Sequence, residues 1–140
     1  MSFREKSAWA SLLIYLAVYG YYFWRLFGVV QAGHAETFHY GALLTQLIVL
    51  LVILEIVLQI AIALPRPKEA QAARDEREKL IMYKATRVAF HVAMIGAALG
   101  AVASSLGATG FYVANGLFLA MVLAEIVRAG GQIVYFRLGA

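Results

Sequence analysis

The sequence predicts an all-α fold, a bundle of four helices that cross a lipid bilayer with both termini on the cytoplasmic side. Three observations lead there. Of the 140 residues 63% are hydrophobic and 14% charged, the apolar residues gather into four long runs, and eleven of the twelve Lys and Arg residues lie on one side of those runs. A mean hydropathy of +0.77 is far above that of an ordinary water-soluble domain. A hydrocarbon core about 30 Å thick takes roughly 20 apolar residues per helix, so the chain accommodates about four crossings in a single domain, residues 1–140. Cysteine is absent, which excludes disulfides, thiolate metal sites and cysteine nucleophiles. The net charge of +4 reads as a topology signal and not as a nucleic-acid surface.

The first span is expected over residues 7–30. Arg4 and Lys6 ahead of it resemble the start of a secretory signal, but the run is too long, is rich in Tyr and Trp, and has no small-residue cleavage site behind it. The second span covers residues 38–64 and stops at Pro65-Arg66-Pro67, because proline removes a donor and restricts the residue before it. Residues 68–79 form a charged segment in which Arg74/Glu78 and Asp75/Lys79 stand four apart, the spacing of paired charges on a helix face. That spacing predicts a helical extension, continuous with the third span at 80–106 and projecting several turns into the cytoplasm. A turn at 107–110 leads into the fourth span, 111–136.

Orientation follows from the basic residues. Arg4, Lys6, Arg66, Lys68, Arg74, Arg77, Lys79, Lys84, Arg87, Arg128 and Arg137 lie towards one side and only Arg25 towards the other, which places the termini and 65–79 in the cytoplasm. A faint repeat is also present. Arg4-Glu5-Lys6 precedes the first span as Arg77-Glu78-Lys79 precedes the third, and Glu55-Ile56-Val57 recurs as Glu125-Ile126-Val127. It suggests a parallel duplication of a two-helix hairpin.

Ionisable groups in hydrocarbon cost about 2.5–3.5 kcal/mol each, which makes their positions the most informative feature of the chain. Lys84, Arg87 and His91 share one face of the third helix, Glu125, Arg128 and Gln132 repeat that spacing on the fourth, and Glu55 and Gln59 share a face of the second. At about 1.5 Å per residue, Glu55, His91 and Glu125 all lie roughly 14–17 Å from the cytoplasmic ends. These eight residues are therefore expected to form a buried polar cluster. Two readings of it stay open. Paired charges can fix helix register and rotation, which near balance of charge favours. Alternatively the cluster is a site: a proton or cation relay through Glu55, Glu125 and His91, or an anion pocket lined by Lys84, Arg87 and Arg128.

Other motifs point less far. His34, Glu36 and His39 form a weak candidate for a metal site at the outer surface, lacking the helical spacing of two histidines four apart. His91 has no intramembrane histidine at similar depth with which to hold haem, and no cofactor is expected. Gly96 and Gly100, with Ala93, Ala97 and Ser104, allow close helix approach within the bundle or between copies. Tyr15, Tyr19 and Tyr22 make a packing stripe, and Trp9 and Trp24 suit the two interfaces. No nucleophile-base pair or phosphate loop is apparent, so a non-enzymatic role is expected.

The run Arg74-Asp75-Glu76-Arg77-Glu78-Lys79-Leu80-Ile81, followed by Lys84-Ala85-Thr86-Arg87-Val88-Ala89, resembles the DUF2178 group, a family of small four-span membrane proteins of bacteria and archaea. The resemblance implies a protein of the bacterial inner membrane that acts as a membrane-bound regulatory partner, and it transfers no active site. Small multidrug transporters are similar in length and span number, but carry their carboxylate in the first span, where this chain has none. The leading expectation is an accessory or regulatory subunit, within a homo-oligomer or a larger membrane complex, with 68–79 as its contact surface for a cytoplasmic protein and no role for nucleic acid. The alternatives are a dimeric proton- or ion-coupled transporter using Glu55 and Glu125, and a protein binding anionic lipid through Arg87 and Arg128.

Because cysteine is absent, the orientation has a direct check. A single cysteine replacing Ala108 should react with an impermeant maleimide in intact cells, and one replacing Ala72 only after permeabilisation. The inverse pattern would reverse the topology.

Overall fold

A computed structural model describes residues 3–35, 39–65, 67, 72–73 and 75–138. Its described residues contain four long helices: α1 Phe3–Gln31, α2 Tyr40–Ala63, α3 Glu76–Ser105 and α4 Gly110–Leu138. Each is long and apolar enough to cross a membrane. The shortest, α2, has 24 residues, about 36 Å at 1.5 Å per residue.

The helices pack in the spatial order α2, α1, α4, α3. The two inner helices are the two that bury a continuous stripe. On α1 it runs Glu5, Ala8, Ser11, Tyr15, Tyr19, Tyr22 and Leu26, and on α4 Phe111, Asn115, Phe118, Val122, Ala129 and Ile133, each following the three- and four-residue steps of one helix face. Tyr19 and Tyr22 meet the Phe118 ring edge-on, with centroids at 5.6 and 5.3 Å. By contrast α2 buries only Leu47 and turns Ile48, Val49, Val52, Ile53, Ile56 and Val57 outward, as expected of a helix facing acyl chains.

α3 lies against α4 through small residues. A Cβ at Gly96 would collide with the Ala120 methyl, and one at Gly100 with the Leu117 side chain. The Gly96/Gly100 face is therefore used within the chain. The same approach continues at Ala85 beside Gly131, where an added Cβ would stand 3.4 Å from that of Ala85.

Both reversals on the far side of the bundle use the same cap. Gly33 and Gly107 have φ of +72° and +85°. Gly33 N–H donates to Val30 O and His34 N–H to Val29 O, while Gly107 N–H donates to Ser104 O and Ala108 N–H to Ala103 O, all at 3.0–3.1 Å. This left-handed closure satisfies the last carbonyls of α1 and α3 and favours glycine there.

The charged segment departs from expectation. Ala72, Ala73 and Asp75 are not helical, and Asp75, extended at ψ 169°, caps α3 by accepting from Glu78 N–H at 2.6 Å. A side chain that caps a helix ends it, so α3 extends only about one turn ahead of Leu80. Residues 68–71 and Arg74, and with Arg74 its pairing to Glu78, lie outside the described residues. Nor do the hairpins pack as equivalents: α1 lies along α4, with no comparable packing of α2 on α3 among the described residues.

Gly96→Ala should destabilise the bundle by about 1–3 kcal/mol, the cost of overpacking, whereas Gly20→Ala, with nothing within 4 Å of the new methyl, should not. Unfolding midpoints in mixed micelles check this; equal midpoints would mean that α3 and α4 are not in close contact.

Candidate functional site

The polar groups of α1 and α2 interlock like the rungs of a ladder. Ser7, Ser11 and Tyr15 recur every four residues along α1, and Gln59 and Glu55 recur at the same interval in the opposite direction on antiparallel α2. Ser7 Oγ donates to Gln59 Oε1 at 2.8 Å and Gln59 Nε2 to Ser11 Oγ at 3.3 Å. Glu55 Oε1 accepts from Ser11 Oγ at 2.7 Å and Tyr15 OH at 3.0 Å. Its other oxygen, Oε2, is buried with no hydrogen-bond partner among the described residues. Glu55 is thus held by hydroxyls alone, and half of its accepting capacity is unused.

Glu125 is held differently. Its Oε2 accepts from both Nε and Nη2 of Arg128, one turn along the same helix, at 2.9 and 2.6 Å. This is a closed ion pair with short charge-assisted bonds.

Between these groups lies a cavity of about 270 Å³. Ser7, Ser11, Glu55 and Gln59 line it from the α1–α2 side, Arg128 and Gln132 from α4, and Arg4 with Glu78 at the end of the bundle. Arg4 Nε approaches Glu78 Oε2 at 3.9 Å and its Nη2 donates to Ala72 O at 3.2 Å, tying the start of α1 to the start of α3. Beside it, Arg137 lies 3.6 Å from Glu5 and over the Trp9 ring. The interior between this mouth and the far side is filled by the tyrosines and Phe118. There Tyr22 OH donates to Asn115 Oδ1 at 2.5 Å, and Asn115 Nδ2 to Phe111 O at 2.7 Å.

Of the eight residues expected in one buried cluster, the structure gathers Glu55, Gln59, Arg128 and Gln132 around the cavity, with Glu125 behind Arg128. It does not bring Lys84, Arg87 and His91 to them. Arg87 and His91 are exposed on the outer face of α3, and Lys84 is half-buried with Nζ 5.8 Å from the centre of the Tyr135 ring. The reason is rotational. Ile81, Ala85 and Ala89 are the buried residues of α3; Arg87 and His91, two residues on from Ala85 and Ala89, are turned by about 200°, and Lys84, one residue before Ala85, by about 100°. A relay through His91 and an anion pocket joining Arg87 to Arg128 are thereby removed. His91 Nδ1 is instead 2.6 Å from the Arg87 carbonyl.

Sequence reasoning missed the hydroxyls of Ser7 and Ser11, took Tyr15 for packing, and passed over Asn115. The signal for the first three was their four-residue interval, which matches Glu55 and Gln59. At the far side, His34 and His39 are exposed and Glu36 lies outside the described residues. No three metal-ligating groups converge among the described residues. No family model, curated protein or solved structure matches the chain.

The two carboxylates should respond differently to neutralisation. Glu125→Gln leaves Arg128 without its direct counter-charge and should cost about 1.5–3 kcal/mol, the loss of charge-assisted hydrogen bonds. Glu55→Gln keeps an amide oxygen for Ser11 and Tyr15 and should cost about 1 kcal/mol. Equal losses in reversible unfolding would show that the two acids are held alike.

Proposed function

We propose that this chain is a multi-pass protein of a bacterial inner membrane, with both termini cytoplasmic, that binds a proton or small cation at Glu55 and couples it to the movement of a solute or ion. The observation that carries this reading is the contrast between the two acids. A carboxylate that exchanges a proton or cation must be free to change charge, and one locked against arginine is not. Glu125 is locked by Arg128, whereas Glu55, a lining residue of the polar cavity, has only hydroxyl partners and one buried oxygen with no hydrogen-bond partner among the described residues. The candidate pair Glu55 and Glu125 thus becomes one working acid and one structural acid. Gln59, Ser7 and Ser11 add neutral oxygens beside Glu55, the ligand chemistry that suits a hard cation or its hydrated form.

The bias of Lys and Arg supports a cytoplasmic mouth at Arg4 and Glu78. Four helices with so small an interior support a homodimer as the working unit. Nothing in this reading makes or breaks a bond of the solute, in keeping with a non-enzymatic protein. A second reading, an accessory subunit of the DUF2178 kind that contacts a cytoplasmic protein through 68–79, has support from Glu76 and Lys79. They pair with each other at 2.7 Å and are exposed at the head of α3.

Proteoliposomes with an imposed pH gradient should show a flux that Glu55→Gln lowers at least tenfold. Glu125→Gln should lower it no further than its loss of folded protein explains. A flux unaltered by Glu55→Gln would overturn the coupling role, and co-purification of a cytoplasmic protein lost on Glu76→Ala/Lys79→Ala would favour the second reading.

A further inference from the structure

We propose that Lys84, half-buried at the edge of α3 beside α4, and Arg87, on the outward face of α3, together hold the phosphate of one anionic phospholipid. This rests on α3 crossing a bilayer and is independent of the cavity and of Glu55. Arg87 is exposed, and its guanidinium has no hydrogen bond or ion pair among the described residues. Lys84 stands one turn nearer the helix start, its ammonium over the Tyr135 ring. Counted from Leu80, the two lie about 6 and 10 Å into the helix, deep enough to need a counter-charge and shallow enough for long side chains to bend back towards the interface.

Among the described residues the spanning parts of α3 and α4 offer no free anion for them. From Leu80 to Ser105, α3 has no Asp or Glu, and α4 has only Glu125, which Arg128 occupies. A second copy brings the same inventory, with Glu55 turned inward to Ser11 and Tyr15 and Glu125 closed on Arg128. The neutralising group thus comes from outside these described spans. At this depth the bilayer itself supplies it, as a phosphate ester whose acyl chains can lie along the exposed Val88, Ile95 and Leu99 further up the same helix. His91, its Nδ1 already at the Arg87 carbonyl, is not needed as a ligand.

The probe is phosphatidylglycerol, titrated against phosphatidylcholine on the purified full chain and read by native mass spectrometry. One phosphatidylglycerol should be retained per chain in preference to phosphatidylcholine. Lys84→Gln and Arg87→Gln should each weaken retention about fivefold and the double variant more than twentyfold, while Arg87→Lys keeps it. Equal retention of the two lipids by the unaltered chain would overturn the site, as would saturation by inorganic phosphate alone. So would a dimer that carries no lipid and is lost on Arg87→Gln, which would assign the face to a second copy. If the double variant does not fold, the lipid preference of the unaltered chain and the contrast between Arg87→Lys and Arg87→Gln decide the matter.

Discussion

Hydrocarbon offers no hydrogen bonds, so polar groups carried into it are driven to find partners within the chain. That constraint organises this molecule more than apolar contact does, because leucine gains little from leaving lipid for another leucine. It explains why α1 lies between α2 and α4. Its hydroxyls serve both neighbours: Ser7, Ser11 and Tyr15 satisfy Gln59 and Glu55 on one side, and Tyr22 satisfies Asn115 on the other. α2 has only Leu47 buried, and its polar rungs fix its rotation about α1. The adjoining cavity follows from the same arrangement, since side chains chosen for hydrogen bonding do not fill space as aliphatic ones do.

Helix α3 shows what happens where that constraint is relaxed. α3 adheres to α4 by close approach at Gly96, Gly100 and Ala85, which leaves its other side for whatever surrounds the protein. Packing by small residues selects one face strictly and is indifferent to what the opposite face carries. Cations can therefore stand there so long as the surroundings neutralise them.

Much of the architecture is legible in the sequence. Four apolar runs give four helices, and the intramembrane Glu55, Gln59, Arg128 and Gln132 do converge, because depth and helical spacing can be counted along a chain. Rotation cannot be counted so easily. Lys84, Arg87 and His91 look like members of the cluster by depth, yet the face of α3 that meets α4 is chosen by the smallness of Ala85, Ala89 and Gly96. The helix start was similarly hidden. Charges four apart suggest a helix through 68–79, but Asp75 uses its carboxylate to cap Glu78 N–H, and local capping competes with continuation. The serine contributions were legible in principle, but a hydroxyl among alanines and leucines attracts notice only once its partner on another helix is known.

The ion pair between Glu125 and Arg128 is completed within a single turn of α4. During biogenesis the apolar span of that helix, residues 111–136, can thus leave the translocation machinery electrically neutral, with no neighbour required to cancel its charge. α2 has no such internal remedy for Glu55, but the hydroxyls that receive it belong to α1, which precedes α2 in the chain and so is synthesised before it. Synthesis order and chemical need run in the same direction: each acid reaches the lipid when its companion is already there or arrives with it.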